Sequence, residues 1–237
     1  MNKNDSQKII EKVKDDYDLI AKEWDLSRNR VSGLKKTLMV DIKDGDKVLD
    51  LGCGNALMLS SVLEKSVFYV GLDISGKMIE IVKEKYKKEI EQGNVSFFVG
   101  QVTELSFQDE EFDFVMSFAV LHHIPSKELQ GKYFQEVKRI CKRNAKVKIS
   151  VWNLLSEWPN NRFHIEDQLA GEKSGATIVP WKATSGKIVD RYIYQFSEED
   201  LFFLAEKAGF RNIKIYYSNR GGERKENAEE LVLEMEK

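Results

Sequence analysis

The sequence predicts an α/β protein that binds a nucleotide-like ligand at the end of its first strand, and three observations support this. An apolar run at residues 48–51 suits a buried strand. The run breaks into a turn with Gly52 and Gly54, which leave the space above the strand end free of side chains. A second apolar run ends at Asp73, about 20 residues further on, where nucleotide-binding βαβ units place a carboxylate that accepts from ribose hydroxyls.

Size and composition limit the number of domains and the classes of function that the chain can have. A chain of 237 residues, 42% of them hydrophobic, can bury a substantial core, and we expect a single domain over residues 1–237. The net charge of -2 excludes a histone-like basic surface. The polar N-terminus and the lack of about 18 uninterrupted apolar residues predict a cytoplasmic protein outside the membrane. Cys53 and Cys141 lack metal-ligand spacing, so we expect both to be reduced and structural and no metal site.

The residues of the turn favour a cationic ligand over a dinucleotide. Dinucleotide-binding turns usually have three glycines in a GxGxxG spacing and present N–H groups to a pyrophosphate. Here the order is Asp-x-Gly-x-Gly-x-Ala, from Asp50 to Ala56. Asp50 is a poor neighbour for phosphates but suits a cation, directly or through water.

Residues 48–56, together with residues 71–75, resemble the first two motifs of class I S-adenosylmethionine-dependent methyltransferases. The resemblance implies a Rossmann-like fold: a seven-stranded, mostly parallel sheet with helices on both faces and a substrate insertion after strand 5. It also implies S-adenosylmethionine as cofactor, with its ribose on Asp73 and its adenine near Gln101 and Val102. The cofactor-binding residues that it implies are Asp50, Gly52, Cys53, Gly54, Asp73, Ile74, Gln101, Val102, Phe118 and Ala119.

Two residues depart from the family pattern. Gln101 stands where an aspartate usually accepts from the adenine amino group; its amide oxygen can still accept but carries no charge. Ala56 stands where a third glycine is common. We expect a mild effect there, because that glycine chiefly serves close helix packing.

The other elements follow in alternation, and residues 1–40 are expected to form a helical cap. Strands are predicted at residues 48–51, 67–72, 95–99, 146–152, 210–217 and 231–233, with another inside residues 111–124. Helices are predicted over residues 6–26, 57–64, 75–91, 129–140 and 198–208. Ser75 and Ser197 suit N-caps, and Asn144 replaces a glycine, which predicts a positive φ.

Further segments resemble the methyltransferases that esterify carboxymethyl groups on wobble uridines of tRNA. They are residues 17–21, 24–28, 111–124, 150–152, 179–181 and 191–194. The resemblance implies the catalytic candidates Tyr17, Arg28, His122, Trp152 and Arg191. For His122, substrate contact and a structural role remain equal alternatives, whereas His123 is expected to be structural.

Residues 153–195 show little periodicity and predict a substrate-binding insertion. The substrate-binding candidates are Arg162, Trp181, Lys182 and Tyr192. An arginine would pair with phosphate or a carboxylate, and an aromatic side chain would stack on a splayed base. It stays open whether Trp181 and Tyr194 instead form the core of the insertion.

The predicted function is methyl esterification of a carboxymethyluridine in a tRNA anticodon loop. A carboxylate, with a pKa near about 4, needs orientation rather than a general base, so the lack of an obvious base fits this acceptor. The alternatives are a methyltransferase for a small quinone, phenol or carboxylic acid, and a non-catalytic binding module.

The resemblance also implies a small zinc-binding activator protein at the sheet edge. Phe97 and Phe98 are adjacent on the expected edge strand, so one of them should point outward. The basic residues 220–225 could reach phosphate, although a solvated turn is the simpler interpretation.

Overall fold

Seven strands form one sheet in the order β3-β2-β1-β4-β5-β9-β8 in the computed structural model, which describes residues 3–183, 185–218 and 227–237. The strands β1 to β5 run parallel, and β9 is antiparallel to both β5 and β8. The strands are β1 (Lys47–Leu51), β2 (Phe68–Asp73), β3 (Val95–Val99), β4 (Phe112–Phe118), β5 (Cys141–Trp152), β6 (Gly175–Lys182), β7 (Ile188–Gln195), β8 (Arg211–Ser218) and β9 (Glu230–Glu236). The predicted seven-stranded, mostly parallel sheet is confirmed.

The helices cover both faces of this sheet, and hydroxyl caps fix where several begin. They are α1 (Lys3–Ser27), α2 (Gly33–Leu38), α3 (Leu59–Val62), α4 (Gly76–Lys85), α5 (Lys87–Glu91), α6 (Lys127–Ile140), α7 (Glu157–Phe163), α8 (Ile165–Gln168) and α9 (Glu198–Lys207). The predicted caps are confirmed: Ser75 accepts from the Met78 N–H, and Ser197 forms a capping box with Asp200. Across the part of the chain that the structure describes, every helix is too short or too polar to span a bilayer.

Two predicted helices differ from the structure. The helix expected over residues 57–64 is only the four-residue α3, because Ala56 has a φ of 52° and the turn continues to Met58. The helix expected up to residue 91 breaks at Tyr86, whose ψ is 28°. The Tyr86 hydroxyl donates to the Ala56 carbonyl at 3.3 Å, so this residue serves the turn rather than the helix.

The core lies in one layer on each face of the sheet. Leu49 and Leu51 point into the layer that includes α6 and α9, whereas Val48 points into the layer beneath α2, α3 and α4. This alternation is what the pleat of a strand buried on both faces requires. Asn144 has the predicted positive φ, 64°, within a strand that begins earlier than expected.

The insertion at residues 153–195 is more regular than its sequence suggested. It contains α7, α8 and the antiparallel hairpin of β6 and β7, which pair from Gly175–Gln195 to Lys182–Ile188. Its small core is Leu154, Ile165, Leu169, Val179 and Ile193. Strand β7 was not predicted from the sequence, because residues 191–195 are all buried and so show no alternation. The basic residues 220–225 lie outside the described residues.

Candidate active site

A cleft opens at the carboxyl ends of the parallel strands, where open α/β sheets bind their ligands. Its empty space is about 680 Å³ when the open mouth is included. The strand ends and their loops supply most of its wall: Gly52, Asp73, Ile74, Gln101, Val102, Thr103, Ala119, Val120, His123 and Ile124. Helix α1 supplies the rest: Ile10, Val13 and Tyr17. The N-terminal helix therefore covers one side of the cleft.

The glycine turn and Asp73 are in direct contact. The Gly54 N–H donates to Oδ2 of Asp73 and the Ser75 N–H to Oδ1, each at 2.8 Å. A carboxylate can accept about four hydrogen bonds, so both oxygens can still accept from hydroxyls of a ligand. Burial raises the pKa of Asp73, and the two backbone N–H groups oppose that rise.

Gly52 allows the Val120 side chain to pack closely against the turn above the strand end. Its φ is 70°, and a Cβ added there would lie 2.3 Å from Cγ2 of Val120. The N–H groups of Gly52 and Cys53 both donate to the Leu72 carbonyl, at 2.7 and 3.0 Å. The turn is thus fixed to the end of β2, next to the acid.

Arg191 is a buried cation with unused donors. Only 4% of the residue is exposed, and its guanidinium carbon lies 4.8 Å from the centre of the Trp152 ring. Within the described residues, its Nε and Nη1 atoms have no hydrogen-bond partner. Burial lowers the pKa of Arg191, and its charge moderates the rise that burial causes in the pKa of Tyr17. Among the described residues no carboxylate forms an ion pair with Arg191, and the charge of Asp16 only partly offsets the effect of burial on the pKa of this arginine.

The adjacent histidines have different surroundings. The Trp152 N–H donates to Nδ1 of His122 at 3.2 Å, so the neutral ring carries its proton on Nε2, for which the described residues offer no acceptor. His123 lines the cleft, and its Nε2 lies 2.9 Å from the Tyr17 hydroxyl. Burial lowers the pKa of His122 well below its usual range and that of His123 to about 4. Both rings are therefore neutral near pH 7.

Residues 48–144 match a protein-family model described as a methyltransferase domain. This chain belongs to the class I S-adenosylmethionine-dependent methyltransferases. A crystal structure of an S-adenosylmethionine-dependent methyltransferase from Methanosarcina mazei shares the fold, with a TM-score of 0.64, 20% identity, and coverage of 87% of this chain and 98% of that one.

Three relatives show the range of similar sequences. A tRNA (carboxymethyluridine(34)-5-O)-methyltransferase of Arabidopsis thaliana is 29% identical over 159 residues, covering 64% of this chain but only 37% of the relative. An uncharacterized protein of Methanocaldococcus jannaschii is 30% identical over 221 residues, covering 87% of this chain and 79% of the relative. A demethylmenaquinone methyltransferase of Bacillus cereus is 28% identical over 142 residues, covering 59% of this chain and 58% of the relative. This methyltransferase thus spans little more than a third of the Arabidopsis protein.

The cofactor of this methyltransferase is S-adenosylmethionine, a methyl donor with a sulfonium centre, and the cleft fits it. The side-chain-free turn at Gly52, the hydrogen-bond acceptor Asp73 and the amide of Gln101 all lie on its wall. Of the cofactor-binding residues predicted, Gly52, Asp73, Ile74, Gln101, Val102 and Ala119 line the cleft. The others do not: Gly54 bonds Asp73 from the turn, and Asp50, Cys53 and Phe118 are buried behind the wall.

Ala56 affects this methyltransferase through its backbone. Ala56 is fully buried and has a φ of 52°, the left-handed region that glycine tolerates best. An alanine there costs roughly 1–2 kcal/mol of strain. The expectation that only helix packing was at stake was therefore wrong, because the turn itself requires the unusual conformation.

The catalytic candidates fall into one cluster and one outlier. Tyr17, Trp152 and Arg191 adjoin one another, and His122 lies 5.2 Å from the Trp152 ring, centre to centre. The wall of the cleft includes His123 instead of the candidate His122, and both ring nitrogens of His123 are hydrogen-bonded within the protein. Only one of the two histidines lines the cleft because adjacent residues of the 3-10 turn Leu121–His123 point about 120° apart.

Arg28 is the outlier: it is exposed and stacks over the Trp24 ring at 4.6 Å. The sequence left Trp24 out of the site because it completes an apolar helical stripe. In the structure Trp24 also packs on Trp181, with ring centres 5.9 Å apart, and its Nε1 is the nearest neighbour of a Cβ built on Gly54. Trp24 therefore joins the glycine turn to the insertion.

The four substrate-binding candidates are dispersed. Lys182 is exposed beside the half-buried Trp181 on β6. Arg162 is exposed on α7 and stacks over Phe163 at 5.5 Å. Tyr192 is buried, with its hydroxyl donating to the Pro125 carbonyl at 3.0 Å. It thus holds the loop after β4 and does not line the cleft. Tyr194 belongs to the main core, whereas the alternative interpretation had placed it in the core of the insertion.

Two hydrogen-bond groups hold α1 against the cofactor turn. Asn55, buried in the turn, donates to Oδ1 of Asp25 at 3.0 Å and to the Arg28 carbonyl at 2.8 Å. Oδ1 of Asp18 accepts from the Ser75 hydroxyl at 2.6 Å and from the Lys77 N–H at 3.0 Å. The helix that covers the cleft is therefore fixed to both cofactor-binding motifs.

Proposed function

We propose that this methyltransferase esterifies the carboxymethyl group of a modified wobble uridine in tRNA. The observation that carries the proposal is the buried Arg191, whose Nε and Nη1 lack partners among the described residues. A buried arginine without a counter-ion is costly, and a carboxylate offers it two parallel, charge-assisted hydrogen bonds. An acceptor carboxylate next to Trp152 and Tyr17 would supply the missing anion.

No described side chain in this cluster is an effective general base, and this supports a carboxylate acceptor. An ionised carboxylate can attack a methyl group without losing a proton, whereas a phenol needs a base. His123 is a poor base, because its pKa is lowered to about 4 and its Nε2 already accepts from Tyr17. The chain's contribution would be to orient the acceptor and exclude water.

An RNA acceptor is supported by the surface near the cleft. The half-buried rings of Trp24 and Trp181 lie beside the exposed cations Arg28 and Lys182. Proteins that recognise single-stranded RNA stack bases on aromatic rings and pair phosphates with basic side chains. The 29% identity to the Arabidopsis tRNA methyltransferase adds to this support.

A small-molecule acceptor is the second candidate, because the Bacillus cereus demethylmenaquinone methyltransferase is 28% identical over 142 residues. The same fold accepts many substrates through changes in its insertion. A non-catalytic module is no longer an alternative, since the chain belongs to an enzyme family.

The deciding experiment uses methyl-labelled S-adenosylmethionine and tRNA that carries carboxymethyluridine, with the same tRNA lacking that group as control. We expect label in a base-labile ester on the first tRNA only. Label in a nuclease-resistant small molecule from an extract would favour the second candidate. No ester on the tRNA, even when an activator protein is supplied, would reject the proposal.

We also propose that an activator protein adds to the edge strand β3, as the family resemblance implies. Phe97 is 3% exposed, whereas Phe98 is 47% and Val99 58% exposed. With Phe68, 56% exposed on β2, they leave a band of apolar surface at the edge of the sheet. An unpaired strand beside such a band can take up a strand from a partner.

A further inference from the structure

Asp50 lies directly behind the cofactor turn and is held by one tyrosine. It is 3% exposed and stands two residues before Gly52. The hydroxyl of Tyr69, on the neighbouring strand β2, donates to its Oδ2 at 2.6 Å. Gly71, directly opposite Asp50 in the register, provides no side chain. A Cβ on Gly71 would lie 2.6 Å from Phe97 and 3.0 Å from the Cys53 sulfur, so these two side chains fill the space beside Gly71 next to Asp50.

The groups that face Asp50 do not neutralise a negative charge on it. They are Tyr69 and Asp73 on β2, Cys53 in the turn and Lys35 on α2. Burial raises the pKa values of Tyr69 and Cys53, so both stay uncharged near pH 7. The Lys35 ammonium lies 3.7 Å from Glu230, which shares its charge. Burial accordingly raises the pKa of Asp50 to about 7.

We propose that Asp50 releases a proton to solvent when the cationic cofactor binds, and that Tyr69 is the positioning residue that holds the resulting carboxylate. S-adenosylmethionine carries a sulfonium and an ammonium group, and a positive charge on the other side of the turn favours the ionised acid. The proton leaves the O–H bond of Asp50 for the buffer, and Tyr69 keeps its own proton while donating to Oδ2. The proposal concerns the cofactor alone and does not depend on the acceptor.

Proton linkage sets the expected pH dependence. Below about pH 7, the free enzyme holds a proton that binding must displace. Affinity for the cofactor should therefore fall by up to about tenfold per pH unit as the pH decreases further. Near pH 6, binding should release close to one proton, and above pH 8 almost none.

The test is titration calorimetry in buffers with different ionisation enthalpies, which counts released protons without any methyl transfer. The probes are S-adenosylmethionine, S-adenosylhomocysteine, which keeps only the ammonium, and methylthioadenosine, which has neither cationic group. We expect proton release with S-adenosylmethionine, an equal or smaller release with S-adenosylhomocysteine, and none with methylthioadenosine. Equal release with all three, or none at pH 6 with any, would overturn the proposal.

Three variants assign the proton. Asp50→Asn keeps the shape and should abolish the release. Tyr69→Phe removes one oxygen and should move the midpoint of the pH profile upward by about one to two pH units, since it removes a hydrogen bond to the charged form. Tyr133→Phe, in the core away from the cleft wall, is the matched control and should leave the midpoint unchanged.

The proton count in each variant decides whether Asp50 releases the proton and whether Tyr69 positions its carboxylate. Unchanged release in Asp50→Asn would assign the proton to another group such as Asp73. A midpoint in Tyr69→Phe that equals that of Tyr133→Phe would remove the positioning role of Tyr69. If Asp50→Asn fails to fold, the midpoints of the wild type and the two tyrosine variants still decide.

Discussion

The hydroxyl of Tyr17 lies 2.9 Å from Nε2 of His123, and Nδ1 of the same ring lies 2.9 Å from the carbonyl oxygen of Tyr192. A carbonyl can only accept, so Nδ1 carries the proton and Nε2 accepts from Tyr17. One neutral imidazole thereby joins α1, the loop after β4 and strand β7 at the wall of the cleft. The N-terminal helix is part of the site because of this bond.

Replacing Tyr17 by phenylalanine should lower the free energy of unfolding by about 1–3 kcal/mol, because Nε2 of His123 loses its donor inside the protein. Urea unfolding measures this. Tyr86→Phe is a suitable control, since it removes a longer bond of 3.3 Å from a half-buried hydroxyl and should cost less. Equal losses in the two variants would contradict a special role for the Tyr17–His123 bond.

The pKa of His123, lowered to about 4, predicts acid sensitivity. The unfolded state takes up a proton near pH 6.5 while the folded state resists until about pH 4, so stability is lost as the pH falls through this window. The loss should reach up to about 3 kcal/mol.

This loss is measured as the difference between the urea unfolding curves of the wild type and His123→Gln, whose amide can keep both hydrogen bonds without titrating. The difference is needed because Asp50, with a pKa raised to about 7, has the opposite effect: its burial favours the folded state more at low pH. A difference curve that stays flat between pH 4 and 6.5 would contradict the assignment to His123.

An alanine at Gly52 should damage both stability and cofactor binding. It adds backbone strain at a φ of 70° and a contact 2.3 Å from Val120, together about 2–4 kcal/mol. Gly45→Ala separates the two effects, because Gly45 has a φ of 86° but no neighbour within 4 Å, so it should cost only about 1–2 kcal/mol. Urea unfolding measures the loss of stability, and calorimetry with S-adenosylhomocysteine measures the loss of affinity. Equal losses of stability in the two variants would show that the Val120 side chain moves aside without an energetic cost.

Arg191→Met should separate stability from function. Removing a buried charge that forms no ion pair with any described residue should stabilise the protein by about 1–3 kcal/mol. The KM for a carboxylate acceptor should rise at least about tenfold. Affinity for S-adenosylhomocysteine should not change. Arg162→Met, at an exposed arginine, should alter stability by no more than about 0.5 kcal/mol. A destabilised Arg191→Met with unchanged KM would indicate a structural arginine.

Phe98→Asp should prevent association with an activator protein at β3, because it places a charge on the apolar band at the sheet edge. Phe203→Asp is the matched control, since Phe203 is 59% exposed on α9, outside this band. Co-purification of each variant with candidate zinc-binding partners gives the readout. Equal retention by both variants would place any partner elsewhere.

Local signals explain what could be predicted. Strand β3 has the predicted bounds, Ser75 and Ser197 cap helices, and Asp73 meets the glycine turn. Each depends on residues close in sequence or on the fixed geometry of one βαβ unit. Strand β7 was missed for the converse reason, since its residues 191–195 are all buried and show no alternation. Strand β6 does alternate in burial, and it was missed as well.

The sequence by itself predicted an α/β fold and the turn that meets Asp73, because apolar periodicity, caps and glycines act within a few residues of one another. The resemblance to class I methyltransferases added the seven-stranded sheet and the cofactor. Only the tertiary structure decided which histidine reaches the cleft, and that Arg191 is buried without an ion-pair partner in the described ranges. Those properties arise where β7 and its arginine pack against α1 and the end of β5, and no local pattern encodes contacts between residues so distant in the chain. Burial in such contacts, rather than residue type, determines the protonation states of these side chains and which hydrogen-bond donors stay unpaired.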